Sequence, residues 1–546
     1  METLASSALN GQSADVHLRT LTPLDFLERS AAIFREKIAV VDGQTRRTYP
    51  QMRARVMQFA RALGALGVTP GARVALLCTN TTPLLEAHYS IPAIGAVLVA
   101  INTRLMADEI AFILSHCGAG VFIYHADFAP LVEAIKALRV ANGEPEPIYL
   151  RVGGPASRDR DLEALMAVQS CEPLPHEPID EDATIAINYT SGTTGRPKGV
   201  MYTYRGAYLN ALAEVFHHNL RPESVYLWTL PMFHCNGWIY PWAVTAAGAT
   251  HVCLPKVDPA RVLELIDVET VTHFCAAPTV LVGIANHPSA RPFTHPVRVM
   301  TAGAPPSPTL LAQMEQLGAA MTHVYGLTEV YGPITVCEWK SPQWDNASPE
   351  ERARLKSRQG VAMVTTRAGD IRVVDEDMHD VPADGASAGE IVMRGNNVMK
   401  GYYNDPEATA KAFAGGWFHS GDVAVMHPDG YVDITDRSKD VIISGGENIS
   451  SVQVEKVIVE HPAVLECAVI AMPDPKWGEL PKAFVTLKAG QHASEGDIIA
   501  FCRERLPGFK TPKAIEFCDL PKTSTGKIQK FALREREWKG QSKRIN

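Results

Sequence analysis

The sequence predicts an α/β protein in two unequal parts: a large N-terminal domain of layered, mostly parallel sheets with helices, and a small α+β domain at the C-terminus. Three observations predict it. At 546 residues the chain is too long for one ordinary core. Helical and strand-like segments alternate through roughly the first 430 residues, the pattern of parallel sheets covered by helices. The remaining stretch changes character and is long enough for a core of its own.

Each element follows from the residues. Met52, Val56, Phe59, Ala60 and Leu63 share one helical face, and Gly64 and Gly67 end that helix. Val74 to Leu77 then reads as a buried strand, and Thr184 to Ile187 as another. In the tail, Ser494 caps a helix with Asp497 at its third position. Ile498, Phe501, Cys502 and Leu506 form the buried face of that helix, and Pro507-Gly508 stops it. The boundary is placed at Asp436, which divides the chain into 1–436 and 437–546.

Composition narrows the function. Apolar residues make up 46% and charged residues 21%, the balance of a soluble globular enzyme. With 52 Lys and Arg against 60 Asp and Glu, the net charge is −8. Such a chain has no global field for nucleic acid or an anionic membrane, so phosphate binding must be local. Ten cysteines form no C-x-x-C pair and have mostly apolar neighbours, as expected for reduced core residues of a cytoplasmic protein. Met1 to Asp15 lacks the basic and apolar blocks of a secretory signal. The longest apolar run, Ile91 to Ile101, is broken by Pro92 and Gly95 and falls short of the ~20 residues of a membrane span. Lys543 to Asn546 match no peroxisomal address.

The strongest chemical signal is Tyr189-Thr190-Ser191-Gly192-Thr193-Thr194-Gly195-Arg196-Pro197-Lys198-Gly199, directly after an apolar strand. Glycines let the backbone turn its N–H groups toward an anion, hydroxyls donate to phosphate oxygens, and Lys198 adds positive charge. It is a phosphate cradle but not a Walker loop, because Lys198 follows Pro197 and no Ser or Thr follows it. A plain polar surface turn is the weaker alternative.

This segment resembles the phosphate-binding loop of the adenylate-forming superfamily, which includes acyl-CoA synthetases, firefly luciferase and peptide-synthetase adenylation domains. Further segments agree in order: Thr301-Ala302-Gly303-Ala304-Pro305, Val324-Tyr325-Gly326-Leu327-Thr328-Glu329, Gly389-Glu390, Gly401-Tyr402-Tyr403, His419-Ser420-Gly421-Asp422, Asp436-Arg437-Ser438-Lys439-Asp440, Ser444-Gly445-Gly446-Glu447-Asn448-Ile449, and Pro521 to Lys527. Each is moderately specific alone. All in sequence, over nearly the whole chain, they are very specific.

The resemblance implies an ATP site made of Thr190, Ser191, Gly192, Thr193, Thr194, Gly195, Lys198, Gly303, Ala304, Pro305, Tyr325, Gly326, Thr328, Asp422 and Arg437. Tyr325 would offer adenine an aromatic face, Asp422 would accept both ribose hydroxyls, and Arg437 would fork onto ribose or phosphate oxygens. Glu329 and Thr190 would hold Mg²⁺, which accompanies ATP. Lys527 would enter the site and bridge the acid and the α-phosphate. Taken singly, these residues also read as a packed tyrosine, a surface glutamate, a solvated ion pair and a basic loop, and Asp422 alone reads first as an Asx turn.

Pro231 to Trp238 resembles the segment that closes the acyl site in many acyl-CoA synthetases, which makes His234 and Trp238, with Gly303 and Tyr325, the acid-pocket candidates; the alternative is a packed aromatic patch of Trp238 and Trp242. A His234–Cys235 nucleophilic pair is rejected, because neighbours on a strand point to opposite faces. No aspartate lies between Phe233 and Trp238 to hold an ammonium, which argues against an amino-acid substrate. Tyr204 stands where many relatives have His. Lys439 would be the hinge of a mobile lid, and Ser444, Gly445, Gly446 and Glu447 the loop beside the CoA thiol.

The expected activity is therefore ATP-dependent acyl-CoA ligation on a neutral-tailed, medium-size acid: medium-chain fatty, 3-methylthiopropionic or arylalkenoic. ATP and CoA are the co-substrates. Two alternatives remain, an adenylating enzyme serving a carrier protein or an oxidative reaction, and a catalytically dead binding module. No nucleic-acid partner is expected, and a homodimer is left open.

Overall fold

The computed structural model describes residues 19–155, 158–174, 180–190, 197–437, 439–444, 447–474, 476–523 and 526–539. Local sequence rules build its elements. The helix Tyr49–Ala65 starts from Thr48, which forms a capping box with Gln51, and buries Met52, Val56, Phe59, Ala60 and Leu63. It feeds the strand Arg73–Leu77 at the centre of an eight-stranded sheet. Parallel neighbours on either side are Val97–Ala100 and Val121–His125. The strand Thr184–Thr190 joins the same sheet beside Val97–Ala100. A second, nine-stranded sheet has Val225–Leu227, Thr250–Val252, His273–Ala276, Val297–Thr301 and Ala319–Leu327 as parallel members.

Several parallel strands run out at their carboxyl ends into the predicted motifs. Thr184–Thr190 leads to the phosphate cradle and Val297–Thr301 to Gly303; His273–Ala276 leads to Thr279, which no predicted motif contains. That edge is where open α/β sheets bind ligands. Lys198–Thr203 turns back antiparallel and sets Lys198 opposite Thr190, and Gly401–Tyr402 adds to its far side.

A four-stranded antiparallel sheet follows and ends with Val432–Arg437. The next strand, Ile442–Ser444, belongs to a different, five-stranded sheet, which packs its own core around Ile442, Val454, Val469, Val485 and Ile498. Within that unit the helix Glu495–Arg503 has the expected Ser494–Asp497 capping box and buries Ile498 and Cys502, with Leu506 buried just beyond it. Phe501 differs from expectation. It is half-buried at the margin, edge-on to His461 and beneath the Arg505 guanidinium.

Eight of the ten cysteines are buried and all ten are free; Cys171 is exposed and Cys518 partly so. The apolar run 91–101 makes a 3-10 turn and the strand Val97–Ala100. Among the described residues no helix is long and apolar enough to cross a membrane.

Candidate active site

Ser191, Gly192, Thr193, Thr194 and Gly195 lie outside the described residues, so the cradle is seen through its two flanks, Thr190 and Lys198. The Lys198 ammonium stands 5.0 Å from the Tyr402 ring centroid. Tyr402 Oη in turn donates to Glu329 Oε1 at 3.0 Å. Burial raises the Glu329 carboxyl above its ordinary value. Glu329 sits in a 3-10 turn, Thr328–Val330, directly after the strand Ala319–Leu327 that carries Tyr325 and Gly326. The Thr328 carbonyl accepts from Tyr202 Oη at 2.8 Å, which ties the two large sheets together here. Gly303 and Ala304 are exposed on their turn and Pro305 is half-buried.

Antiparallel pairing of Phe418–Met426 with Val432–Arg437 places Asp422 opposite Arg437. Asp422 is buried; its Oδ2 accepts from Tyr325 Oη at 2.7 Å, and its Oδ1 pairs with Arg437 Nε at 3.2 Å. Tyr325 is thus a buried residue held through its hydroxyl, which restricts how much of its ring any nucleotide could meet. Glu390 braces the turn before Asp422, with its Oε1 accepting from the Gly421 amide at 2.8 Å and its Oε2 2.8 Å from His419 Nδ1.

Lys527 reaches this place from the C-terminal domain. Its amide donates to Thr523 Oγ1 at 3.0 Å, and Gly526 N to the Thr523 carbonyl at 2.9 Å, so the loop is closed on itself. The loop rests on the large domain: Arg104 Nη1 donates to the Thr523 carbonyl at 3.1 Å. Gly526 passes so close to Thr279 that a Cβ there would lie 2.1 Å from Oγ1, so only glycine fits the approach. Burial, then the Arg437 charge, lowers the Lys527 ammonium to about 7 against the pull of Asp422, with Lys439 and Lys530 adding to the fall. Burial and the neighbouring Lys527 hold His234 down at about 4, so it is a neutral imidazole at pH 7. Lys439 is lowered to about 8 by burial, Arg437 and Arg534. Lys527 and Lys439 thus feel the Arg437 charge more than the pull of Asp422, an arrangement that favours an anion.

The segment after His234 corrects the strand assumed for it. Cys235, Asn236, Gly237, Trp238 and Ile239 all have positive φ, between 40° and 72°, and form a left-handed turn. Such a turn costs roughly 1–2 kcal/mol for each non-glycine residue. Strand alternation is therefore not what separates His234 from Cys235; instead Cys235 is engaged elsewhere, its Sγ 3.2 Å from Thr328 Oγ1. Burial raises that thiol to about 12, far from a nucleophile's range. Trp238 packs beside Gly332. Trp238 is itself buried in the same core as Trp242, which is fully enclosed against His88 and Tyr331.

Tyr204 is a core residue too, with its hydroxyl donating to the Pro92 carbonyl at 3.0 Å. Ser444 is buried and pairs with the exposed Glu447 across a hairpin; Gly445 and Gly446 lie outside the described residues. The structure adds residues that sequence reasoning missed: Tyr402, Thr279, Arg104, and the Asn188–Asn236–His88 group described below. Tyr402 lay inside a recognised motif, but nothing in sequence links it to Glu329, 73 positions away.

Residues 27–403 match the AMP-binding enzyme family, and residues 453–527 match the AMP-binding enzyme C-terminal domain. A peroxisomal acetate/butyrate–CoA ligase of Arabidopsis thaliana is 47% identical, over 94% of this chain and 94% of that protein. A 4-hydroxybutyrate–CoA ligase of Metallosphaera sedula is 44% identical over the same shares. Among solved structures, an anthranilate–CoA ligase in complex with anthranoyl-AMP superposes with a TM-score of 0.84 at 28% identity, covering 96% of this chain and 99% of that one. The chain belongs to the AMP-binding enzyme family and is an AMP-forming acid–thiol ligase of the acyl-CoA synthetase type.

Proposed function

We propose that this ligase activates a neutral-tailed carboxylic acid of short to medium length, roughly four to ten heavy atoms, and joins it to CoA. The observation that carries the proposal is the cluster of Lys527, Arg437 and Lys439 around Asp422, with neutral His234 beside Lys527. In the first half-reaction an acid oxygen attacks the α-phosphorus of ATP and the bond to pyrophosphate breaks. Lys527, lowered to about 7, regains its proton as anionic oxygens arrive and then follows the charge that builds in the transition state. Asp422 and Arg437 hold the ribose side, and Thr190, Lys198 and the cradle hold the phosphates. In the second half-reaction the CoA sulfur attacks the acyl carbon, AMP leaves with its C–O bond broken, and the thiol proton passes to solvent.

The domain division at 436/437 and the hinge at Lys439 belong to this proposal. After adenylation the small domain turns, Lys527 withdraws and the Ser444–Glu447 hairpin comes in. Glu329 fits a Mg²⁺ role: it is a buried hard-oxygen ligand whose raised pKa reflects charge kept from water, which a divalent cation would offset. Thr190 would complete the pair of protein ligands. The metal, bound with ATP, would neutralise charge on the phosphates.

Relatives named for acetate, butyrate and 4-hydroxybutyrate support the short end of the range; octanoate marks its upper limit, and arylalkenoic acids such as cinnamate fall just above it. The cytoplasmic expectation stands beside relatives whose names place them in peroxisomes. The test is kcat/KM for CoA-dependent AMP release across acetate, butyrate, hexanoate, octanoate, 3-methylthiopropionate, cinnamate and alanine. A maximum at a neutral-tailed acid within this range is expected; best activity with the amino acid would overturn the substrate reading.

A further inference from the structure

The left-handed turn 235–239 is an unfavourable backbone path, and the molecule holds it from several sides. The Asn236 amide donates to Asn188 Oδ1 at 2.6 Å. The Asn236 side-chain Nδ2 lies 3.0 Å from His88 Nε2, and His88 Nδ1 lies 2.7 Å from the Leu84 carbonyl. The carbonyl can only accept, so His88 carries its proton on Nδ1 and offers Nε2 as acceptor to Asn236. Asn80 secures the approach, accepting from Met232 N at 2.7 Å and donating to the Trp228 and Leu230 carbonyls. Asn236 and His88 are both completely buried. Among non-glycine residues, asparagine is one of the few that visits the left-handed region without a large penalty.

The turn also joins the parts of the active site. Asn188 lies two residues before Thr190 on the strand that leads to the phosphate cradle. Cys235 touches Thr328, the neighbour of Glu329. At its start the turn carries the half-buried acid-pocket candidate His234. Near its end it carries Trp238, whose Cα would lie 3.2 Å from a Cβ at Gly332. A right-handed path from the same His234 would send the Trp238 side chain in another direction.

We propose that Asn236 is a positioning residue for the acid: tied to His88 and Asn188, it keeps the turn left-handed, and the turn in that form aims His234 at the reaction centre and sets Trp238 as the far wall of the acid pocket. The inference rests on the acid-ligase reading above and adds the element that sets tail length. Asn236 touches no substrate itself. Its effect is on where the acid lies, so it is expected in the KM for the acid and in the chain-length profile, with the KM for ATP unchanged.

The test is acid-dependent ATP–pyrophosphate exchange by the full-length protein over straight-chain acids from acetate to octanoate, with thermal stability measured alongside. Asn236→Ala removes both the His88 bond and the tolerance for positive φ. It should lower kcat/KM about a hundredfold, mostly through the KM for the acid, the effect expected of an ångström-scale misplacement. The chain-length profile should broaden toward longer acids. Asn236→Gly keeps the left-handed backbone and the bond to Asn188 and loses only the His88 bond, so about a tenfold change in the same direction is expected. This variant carries the test if the alanine variant does not fold. An acid KM and profile like wild type in Asn236→Gly, with only the melting temperature reduced, would show a purely structural role and overturn the inference. Exchange by the wild type with none of the acids would overturn the acid-ligase reading, and the inference with it.

Discussion

Two clusters of charge involving the C-terminal domain are built differently. In the first, every cation has its counter-ion within the protein. Lys530 pairs with Glu455 at 2.7 Å and donates to Ser451 Oγ at 2.7 Å, Arg534 pairs with Asp440, and Lys482 pairs with Glu537 at 2.6 Å and Glu516 at 2.9 Å. Lys482 is accordingly raised above its ordinary value. In the second, Lys527 meets mainly other cations, Arg437, Lys439 and Lys530, against Asp422 alone, and is lowered to about 7. The difference separates a cluster that fastens the fold from one that stores an electrostatic deficit for a ligand to fill. A protein tolerates such a deficit at a functional site because the bound anion reverses it.

The comparison is open to four tests, in descending order of expected effect. Lys527→Ala should cut adenylation about a hundred- to a thousandfold, the loss typical of one preorganised charged donor. Thioester formation from supplied acyl-adenylate should survive, and an equal loss in both half-reactions would sink the assigned role. Lys439→Pro locks φ near −65° and so forbids one of two conformations that differ there. Adenylation retained with thioester formation lost is the expected pattern; wild-type rates for both would place the hinge elsewhere.

The paired cluster should respond in stability. Glu455→Gln leaves the Lys530 ammonium buried without its carboxylate, which should cost ~3–5 kcal/mol by denaturant unfolding. An unchanged midpoint would show that this cluster does not fasten the domain. The smallest effect is opposite in sign. The ordinary value for Lys527 is 10.5, and in the folded protein it falls to about 7. Charged Lys527 therefore destabilises the fold fully below pH 7, and that cost fades as pH rises to 10.5, where the unfolded chain also loses its proton. Lys527→Met should raise the melting temperature at pH 6.5 and lose the advantage near pH 10.5. A gain independent of pH would point to packing, not charge.

Much of this protein was legible in one dimension. The helix Tyr49–Ala65 was visible in its apolar stripe, and the capped helix Glu495–Arg503 in its Ser and Asp. These are local patterns, set by the 3.6-residue period and by backbone donors that need a partner within a few residues. The α/β layering followed from the same periodicities, and the family followed from the order of its motifs, because a loop that cradles phosphate needs particular residue types at fixed spacing.

Tertiary structure alone decided the rest. Segment 233–238 reads as an ordinary apolar strand, and only contacts from Asn188, 48 positions away, and His88, 148 positions away, accompany its left-handed turn. Likewise Trp238 and Trp242 look equivalent in the sequence and both are buried, yet one packs against the Gly332 backbone and the other against His88. Lys527 is a lysine in a polar loop until folding exposes it to the charges of Arg437 and Asp422 and withdraws it partly from water. The physical reason is common to all three. Handedness against propensity, the partners of a buried aromatic ring, and a shifted pKa each depend on groups that are distant in the chain, and one-dimensional patterns carry only what neighbours in sequence impose on one another.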